Sequence, residues 1–243
     1  MRSVTRHYQL LVFDWDGTLM DSEAMIVSCM KQTIDTLELE PRSDQALAGR
    51  IGLGLREAIQ SLYPQADELL VSAFVDHYRH YFLSGQTPPG GLFPGALDTL
   101  HQLRGQGYLL AVATGKSRRG LDRSLRETGC RELFHATRCA DETLSKPHPR
   151  MLLEIMEVLD VIPTRTLMIG DTEYDMLMAR QAGTAALAVD YGVHERQRLM
   201  EQQPLSCLSD IGELPQWLQE SRHYGGNNRS SINDRETWNN DER

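Results

Sequence analysis

The sequence predicts an α/β fold, a doubly wound and mostly parallel sheet with an inserted all-helical cap domain. Four short apolar runs without polar alternation are typical of parallel strands that are covered on both faces. Helical patterns lie between these runs, which is the alternation expected of a doubly wound sheet. The segment after the first run has helical periodicity and no strand-like run, which indicates the insertion.

Each apolar run is four to six residues long and is followed by turn-forming residues, so length favours strands over helices. The predicted strands are 10–13, 108–113, 166–169 and 186–189, with a short edge strand at 205–208. Leucines and methionines at helical spacing predict helices at 96–104, 149–159, 175–182 and 211–220. Pro149 suits the first turn of its helix, and Gly183 suits the position after a helix end.

The same patterns divide the chain into three parts. Residues 1–20 and 90–222 are predicted to form the α/β core, and residues 21–89 the helical cap. A Gly/Pro-rich connector at 84–91 closes the cap. Residues 223–243 are polar and rich in Asn, Gly and Ser, which predicts a disordered tail.

The amino-acid composition and the net charge limit which kinds of molecule this protein is expected to bind. The 243 residues are 40% hydrophobic and 24% charged, as in an ordinary globular protein, with a net charge of −9. Because an acidic surface repels nucleic acid and anionic membranes, we expect neither as a partner. The apolar run near the N-terminus is too short for a signal peptide, which favours a cytoplasmic protein. We expect a monomer or a homodimer. The four cysteines lack Cys-x-x-Cys spacing, so we expect neither a zinc site nor a disulfide framework.

Polar groups follow three of the predicted strands. Asp14 follows the first run, Thr114 to Lys116 the second, and Gly170 to Asp175 the third. The carboxyl ends of parallel strands meet at one edge of the sheet, where α/β proteins bind ligands. Three distant segments are therefore expected to form one site.

Carboxylates gathered at such an edge need a cation. Two unit charges about 4 Å apart repel by roughly 4 kcal/mol at an effective dielectric of 20, so Asp14, Asp16 and Asp171 together favour a bound cation. Hard oxygen ligands favour Mg²⁺, which commonly keeps a substrate phosphate in its shell. One carboxylate could then attack phosphorus, and a second two residues on could protonate the leaving alcohol and later activate water.

Other groups at the strand ends suit the phosphoryl oxygens. The Thr114 hydroxyl, the Gly115 backbone N–H and the Lys146 ammonium are donors of the right kind. The chain has only three lysines, Lys31, Lys116 and Lys146, and two of them follow predicted strands or motifs. We interpret Lys116 as a solvated surface charge and leave it out of the predicted site.

The segments "DWDGT", "TGK", "SKPHP" and "GDTEYD" occur in this order. Together they resemble the four motifs of the haloacid dehalogenase-like phosphohydrolases, and most closely the phosphoglycolate phosphatase-like branch with a helical cap. The resemblance implies that Asp14 is the nucleophile and a Mg²⁺ ligand, and that Asp16 is the general acid/base with its backbone carbonyl on the metal. It also implies that Thr114 and Lys146 hold the phosphoryl group, and that Asp171, with Asp175 close behind, binds Mg²⁺.

The resemblance implies a phosphatase of small phosphorylated metabolites, either phosphoglycolate-like or sugar phosphates. A phosphomutase of the β-phosphoglucomutase type and a non-catalytic phosphate-binding module are the alternatives. Asp175 could instead cap the helix that follows it. In the cap, "RIGLGLR" contains Arg50, Gly52 and Arg56, which form either a loop that reads the leaving group or a plain glycine turn.

Overall fold

The computed structural model describes residues 7–84 and 90–224. Its strands are β1 (Leu10–Phe13), β2 (Met20–Asp21), β3 (Gly91–Leu92), β4 (Leu109–Thr114), β5 (Ala136–Cys139), β6 (Thr166–Gly170), β7 (Ala185–Val189) and β8 (Cys207–Leu208). Its helices are α1 (Glu23–Thr36), α2 (Asp44–Ala48), α3 (Leu55–Leu62), α4 (Glu68–Ser84), α5 (Ala96–Gly105), α6 (Arg118–Glu127), α7 (Arg150–Leu159), α8 (Glu173–Ala182), α9 (Arg196–Met200) and α10 (Leu214–Tyr224).

Six strands form one parallel sheet in the order β5-β4-β1-β6-β7-β8. β1 lies inside the sheet, and Leu10 pairs with Leu109 on one side and with Thr166 on the other. All four residues of β1 are fully buried, which explains why the run is apolar without alternation. The predicted α/β class is confirmed.

Helices cover both faces of the sheet. Leu11 and Phe13 pack in a cluster with α5, α6 and α10. Leu10 and Val12 point to the opposite face and pack in a cluster with α7 and α8. This alternation follows from the two-residue repeat of a strand, and it makes the sheet doubly wound as predicted.

Helices α1 to α4 form an inserted unit, which we call the cap. Its own hydrophobic cluster includes Ile34, Leu47, Ile59 and Phe74, all nearly or fully buried. β2 and β3 pair antiparallel where the chain enters the cap and where it returns, an element that the sequence did not predict. The boundaries 21–89 remain a prediction, and most of the connector lies outside the described residues.

Some elements differ from the sequence prediction. β5 was missed because "ATRC" has no apolar run, and α6 was missed because it has only two leucines among polar residues. The last predicted helix begins as a 3-10 turn at Ile211–Glu213 and then continues as α10 through Tyr224, past the predicted start of the tail. The rest of the tail, 225–243, lies outside the described residues. Among the helices that are described, none is long and apolar enough to cross a membrane.

Candidate active site

Asp14 directly follows β1, and its side chain is buried at the sheet edge. The next side chain, Trp15, is fully buried in the core and packs edge-on against Phe134 at 6.2 Å between ring centroids. Gly17 then adopts a φ of +80°, which turns the chain back. A Cβ at this position would collide with the Asp171 carboxylate, so the turn also needs the small residue.

Three buried carboxylates meet at this edge. Oxygen atoms of Asp14, Asp171 and Asp175 all lie within 4.8 Å of one another. The buried Lys146 lies beside them, with its Nζ 2.8 Å from Asp14 Oδ1 and 2.7 Å from Asp175 Oδ1. Three carboxylates and one ammonium give this group, which we call the acidic cluster, a formal charge of −2 when all are ionised.

Asp175 both belongs to the acidic cluster and caps a helix. Its Oδ2 accepts hydrogen bonds from the Thr172 backbone N–H at 3.1 Å and from the Thr172 hydroxyl at 2.6 Å. These bonds hold the first turn of α8, while Oδ1 faces Lys146. The two interpretations of Asp175 that the sequence left open are thus geometrically compatible.

The pKa values in the acidic cluster are shifted first by burial and then by the neighbouring charges. Burial raises the pKa of Asp14 well above its usual value; Lys146 opposes this shift, and Asp175 and Asp171 add to it. The pKa of Asp171 is raised to about 7, mainly by burial and secondly by the charge of Asp175. Hydrogen bonds from the Thr18 hydroxyl and the Val193 backbone N–H act in the opposite direction and lower it. Burial lowers the pKa of Lys146, but the nearby carboxylates outweigh it and the net shift is upward.

The acidic cluster fits a divalent metal ion. Asp14 Oδ2 is buried and has no hydrogen-bond partner in the described part of the chain, so an acceptor atom is left unsatisfied there. The atoms that could coordinate a metal ion here are all carboxylate oxygens, which suit Mg²⁺. A dication would also balance the formal charge of −2.

The Asp16 side chain has different partners. Its Oδ1 accepts a hydrogen bond from the Ser22 hydroxyl at 2.6 Å, and the Lys116 ammonium lies 2.7 Å from Oδ1 and 2.9 Å from Oδ2. The Lys116 and Asp16 side chains are only 7% and 8% exposed, so this is a buried ion pair. Our interpretation of Lys116 as a solvated charge was wrong. The small number of lysines in an arginine-rich chain was the one feature of the sequence that could have indicated a role for Lys116. No feature of the sequence indicated a role for Ser22.

Thr114 and Gly115 lie beside the acidic cluster. Thr114 is the buried last residue of β4, and its hydroxyl accepts a hydrogen bond from the Lys116 backbone N–H at 3.2 Å. Gly115 lies beneath the cap, where a Cβ would collide with the Leu53 carbonyl oxygen. The structure therefore brings the predicted phosphate-binding residues and the cap loop to one place.

The predicted cap residues also line this place. Arg50 is half-buried, and its Nε has no hydrogen-bond partner among the described residues. Gly52 has a φ of +99° and lies close to Thr172 at the start of α8. Arg56 is exposed and forms an ion pair with Glu68 of α4.

Hydrogen bonds join the cap to the sheet edge. The Gly54 backbone N–H donates to the Ser145 hydroxyl at 2.7 Å, and the Tyr174 hydroxyl donates to the Gly49 carbonyl at 3.0 Å. A cavity of about 610 Å³ remains between the cap and the core, and Asp14 and Asp16 line it. The arrangement can hold a phosphorylated molecule with its phosphorus near Asp14.

Comparison with known proteins agrees with this geometry. Residues 11–189 match the family model described as haloacid dehalogenase-like hydrolase. The chain is 36% identical to the probable phosphatase IndB of Dickeya dadantii over 209 residues, which cover 84% of this chain and 91% of that protein. It is 28% identical to a phosphoglycolate phosphatase of Psychrobacter arcticus, over 90% of this chain and 99% of that protein.

The fold has a solved counterpart. A predicted phosphatase from Clostridium acetobutylicum superimposes with a TM-score of 0.80 at 26% identity, over 88% of this chain and 99% of that one. The chain therefore belongs to the haloacid dehalogenase-like hydrolase family, in its phosphoglycolate phosphatase-like branch, and is a phosphoric monoester hydrolase.

Proposed function

We propose that this enzyme is a Mg²⁺-dependent phosphatase of a small phosphorylated metabolite, and that it works through an aspartyl-phosphate intermediate on Asp14. The observation that carries the proposal is the acidic cluster. Its formal charge is −2, and the buried Asp14 Oδ2 has no hydrogen-bond partner among residues 7–84 and 90–224, which supports a carboxylate that meets both a dication and a phosphorus atom. Phosphoglycolate-like esters and sugar phosphates are the substrate classes that the resemblance offers.

The residues for the metal are the side chains of Asp14, Asp171 and Asp175, with the backbone carbonyl of Asp16 as a further ligand. When bound, Mg²⁺ neutralises the carboxylates and the phosphoryl oxygens that would otherwise repel each other. Lys146 supplies a fixed positive charge at the same place, 2.8 Å from Asp14. The Thr114 hydroxyl and the Gly115 backbone N–H complete the set of donors for the phosphoryl oxygens.

The chain's own residues account for both halves of the reaction. An Asp14 carboxylate oxygen attacks phosphorus, the bond from phosphorus to the alcohol oxygen breaks, and Asp16 gives that oxygen a proton. Water then attacks the phosphorus of the aspartyl phosphate, and Asp16 takes the proton from the water. The bond between phosphorus and Asp14 breaks, which releases inorganic phosphate, restores the Asp14 carboxylate and leaves Asp16 protonated, as it was before the first step.

Metal removal tests this proposal. With Mg²⁺ present, a panel of phosphate monoesters should yield free phosphate, and excess EDTA should lower the rate by at least about 100-fold. Because a ligand that binds only the folded state stabilises it, Mg²⁺ should also raise the melting temperature of the EDTA-treated protein, and Asp171→Asn should reduce this rise. Full activity in EDTA would exclude the metal from the reaction. Isomerised sugar phosphate without net phosphate release would indicate the phosphomutase instead.

Lys116 is expected to act by positioning Asp16. Replacing Lys116 with methionine removes the ion pair and leaves Asp16 held by Ser22 alone. We expect kcat to fall by about 10- to 100-fold, part of what a general acid/base contributes. The melting-temperature rise caused by Mg²⁺ should persist, because among the described residues the Lys116 ammonium contacts Asp16 and Phe82 and not the acidic cluster. An unchanged kcat in steady-state assays would remove Lys116 from the mechanism.

A further inference from the structure

The cavity above Asp14 and Asp16 is large for a short-chain substrate. Its volume of about 610 Å³ lies within the range of sites that bury a drug-sized ligand, about 300 to 1,000 Å³. The leaving group of phosphoglycolate has only two carbons, one of them in its carboxylate, and it would leave most of this volume unfilled. The cavity therefore indicates a larger leaving group.

The cap side of the cavity is mainly apolar. Ile26 and Met30 of α1 and Val75 of α4 line it, and all three are buried. Ile26 and Val75 cannot hydrogen-bond a hydroxyl group and the Met30 sulfur is only a weak acceptor, so a sugar placed against them would lose most of its bonds to water without replacement. This wall favours a leaving group with an apolar body over a polyhydroxylated one.

Two aromatic rings complete the wall near the reacting groups. Tyr78 and Phe82, one turn apart on α4, stack with ring centroids 6.0 Å apart and planes 19° apart, and both line the cavity. Lys116 Nζ lies 5.0 Å from the Phe82 centroid and 2.7 Å from Asp16 Oδ1. The aromatic pair thus lies next to the group that protonates the leaving oxygen. Flat rings pack well against such a pair.

The position of Phe82 is fixed from the core. Arg123 of α6 donates a hydrogen bond from Nη1 to the Phe82 carbonyl oxygen at 3.2 Å. Because this bond crosses from the core to the end of α4, it sets how far the aromatic pair lies from the sheet edge. The wall is therefore positioned before a substrate arrives, which lowers the entropy cost of binding.

The basic and acidic side chains around the cavity are equal in number and three of the basic ones are ion-paired, so they give a second anionic group little net attraction. Five basic and five acidic side chains line it, including Asp14 and Asp16. Arg56 forms an ion pair with Glu68, Arg79 lies 3.9 Å from Asp76, and Lys116 pairs with Asp16. The carboxylates of Glu57, Asp76 and Asp141 also border the cavity and would repel a second anionic group.

We propose that the substrate is the phosphate monoester of a primary alcohol that carries an uncharged aromatic ring one or two carbons from the ester oxygen. The inference rests on the phosphatase activity proposed above and specifies its leaving group. The phosphoryl group lies at Asp14, the ester oxygen at Asp16, and the ring against Tyr78 and Phe82. Hydrolysis follows the two steps already described and gives the free alcohol and inorganic phosphate.

The test compares kcat/KM, with Mg²⁺ present, for benzyl phosphate, 2-phenylethyl phosphate, propyl phosphate, phosphoglycolate and ribose 5-phosphate. We expect the two aromatic esters to exceed phosphoglycolate and ribose 5-phosphate by at least about tenfold. Phe82→Leu keeps an apolar side chain but removes the ring. It should lower the ratio of benzyl to propyl phosphate by about three- to tenfold, the scale of one aromatic pair.

Tyr81→Leu is the matched control. Tyr81 is the neighbouring ring on α4, but its hydroxyl lies 2.6 Å from Thr36 Oγ1 and it is not part of the cavity wall, so the ratio should not change. Faster hydrolysis of phosphoglycolate or ribose 5-phosphate than of the aromatic esters would overturn the inference and leave the phosphatase proposal standing. Absence of phosphate release from every ester would overturn the phosphatase proposal itself, and this inference with it. If Phe82→Leu does not fold, the ranking of esters by the unaltered enzyme decides.

Discussion

Replacing Asp14 with asparagine is expected to abolish phosphate release, with a fall in kcat of at least about 10⁴-fold. The amide keeps the shape of the side chain but cannot form an acyl phosphate. The protein should stay folded, because the change removes one of three crowded carboxylates while Asp175 continues to pair with Lys146. A colorimetric assay of inorganic phosphate measures the loss, and circular dichroism checks the fold.

A second measurement ties this loss to the intermediate. Rapid acid quench of the unaltered enzyme with a ³²P-labelled monoester should trap label on the protein, and Asp14→Asn should trap none. Asp76→Asn is the matched control, since Asp76 borders the same cavity but is exposed and lies 3.9 Å from Arg79 rather than in the acidic cluster. Retained phosphate release by Asp14→Asn, with Asp76→Asn unchanged, would mean that another group attacks phosphorus.

The sequence predicted that the residues at the strand ends lie together, because short apolar runs indicate parallel strands and the carboxyl ends of parallel strands share one edge of the sheet. Asp14 and Asp171 each follow an apolar strand and Thr114 ends one, so the sheet alone brings them to one edge. Lys146 does not directly follow a predicted strand, and the resemblance and the rarity of lysine in the chain pointed to it. The structure adds the distance of 2.8 Å between Lys146 Nζ and Asp14 Oδ1, which the sequence could not predict.

What the sequence could not predict depends on contacts between distant segments. Lys116 looked like a surface charge because nothing in "TGKSRRG" shows that Asp16, a hundred residues earlier, lies against it. β5 has no apolar run because it is an edge strand, paired on one side to β4. The aromatic wall of Tyr78 and Phe82 was also hidden, since periodicity alone cannot separate the packing of the cap from the lining of a cavity.

Replacing Lys146 with methionine is expected to have the largest effect on stability. Lys146 is fully buried between Asp14 and Asp175, so its loss leaves two buried carboxylates without their cation. Breaking a buried ion pair from one side costs about 3 to 5 kcal/mol. That is a large part of the free energy of unfolding of a typical protein, about 5 to 15 kcal/mol. Urea unfolding in EDTA measures the change.

Two further variants separate charge from packing. Lys31→Met is the matched control, because Lys31 is 52% exposed and its ion pair with Asp44 lies on the cap surface, so the free energy of unfolding should not change. Adding Asp175→Asn to Lys146→Met should restore part of the stability, since it removes one unpaired carboxylate while the amide oxygen can still cap α8. Phosphate release should be absent from both the single and the double variant, because both lack the Lys146 ammonium beside the phosphorus. If Lys146→Met unfolds at the same urea concentration as the unaltered protein, the acidic cluster does not depend on this lysine, and the assignment of its charge is wrong.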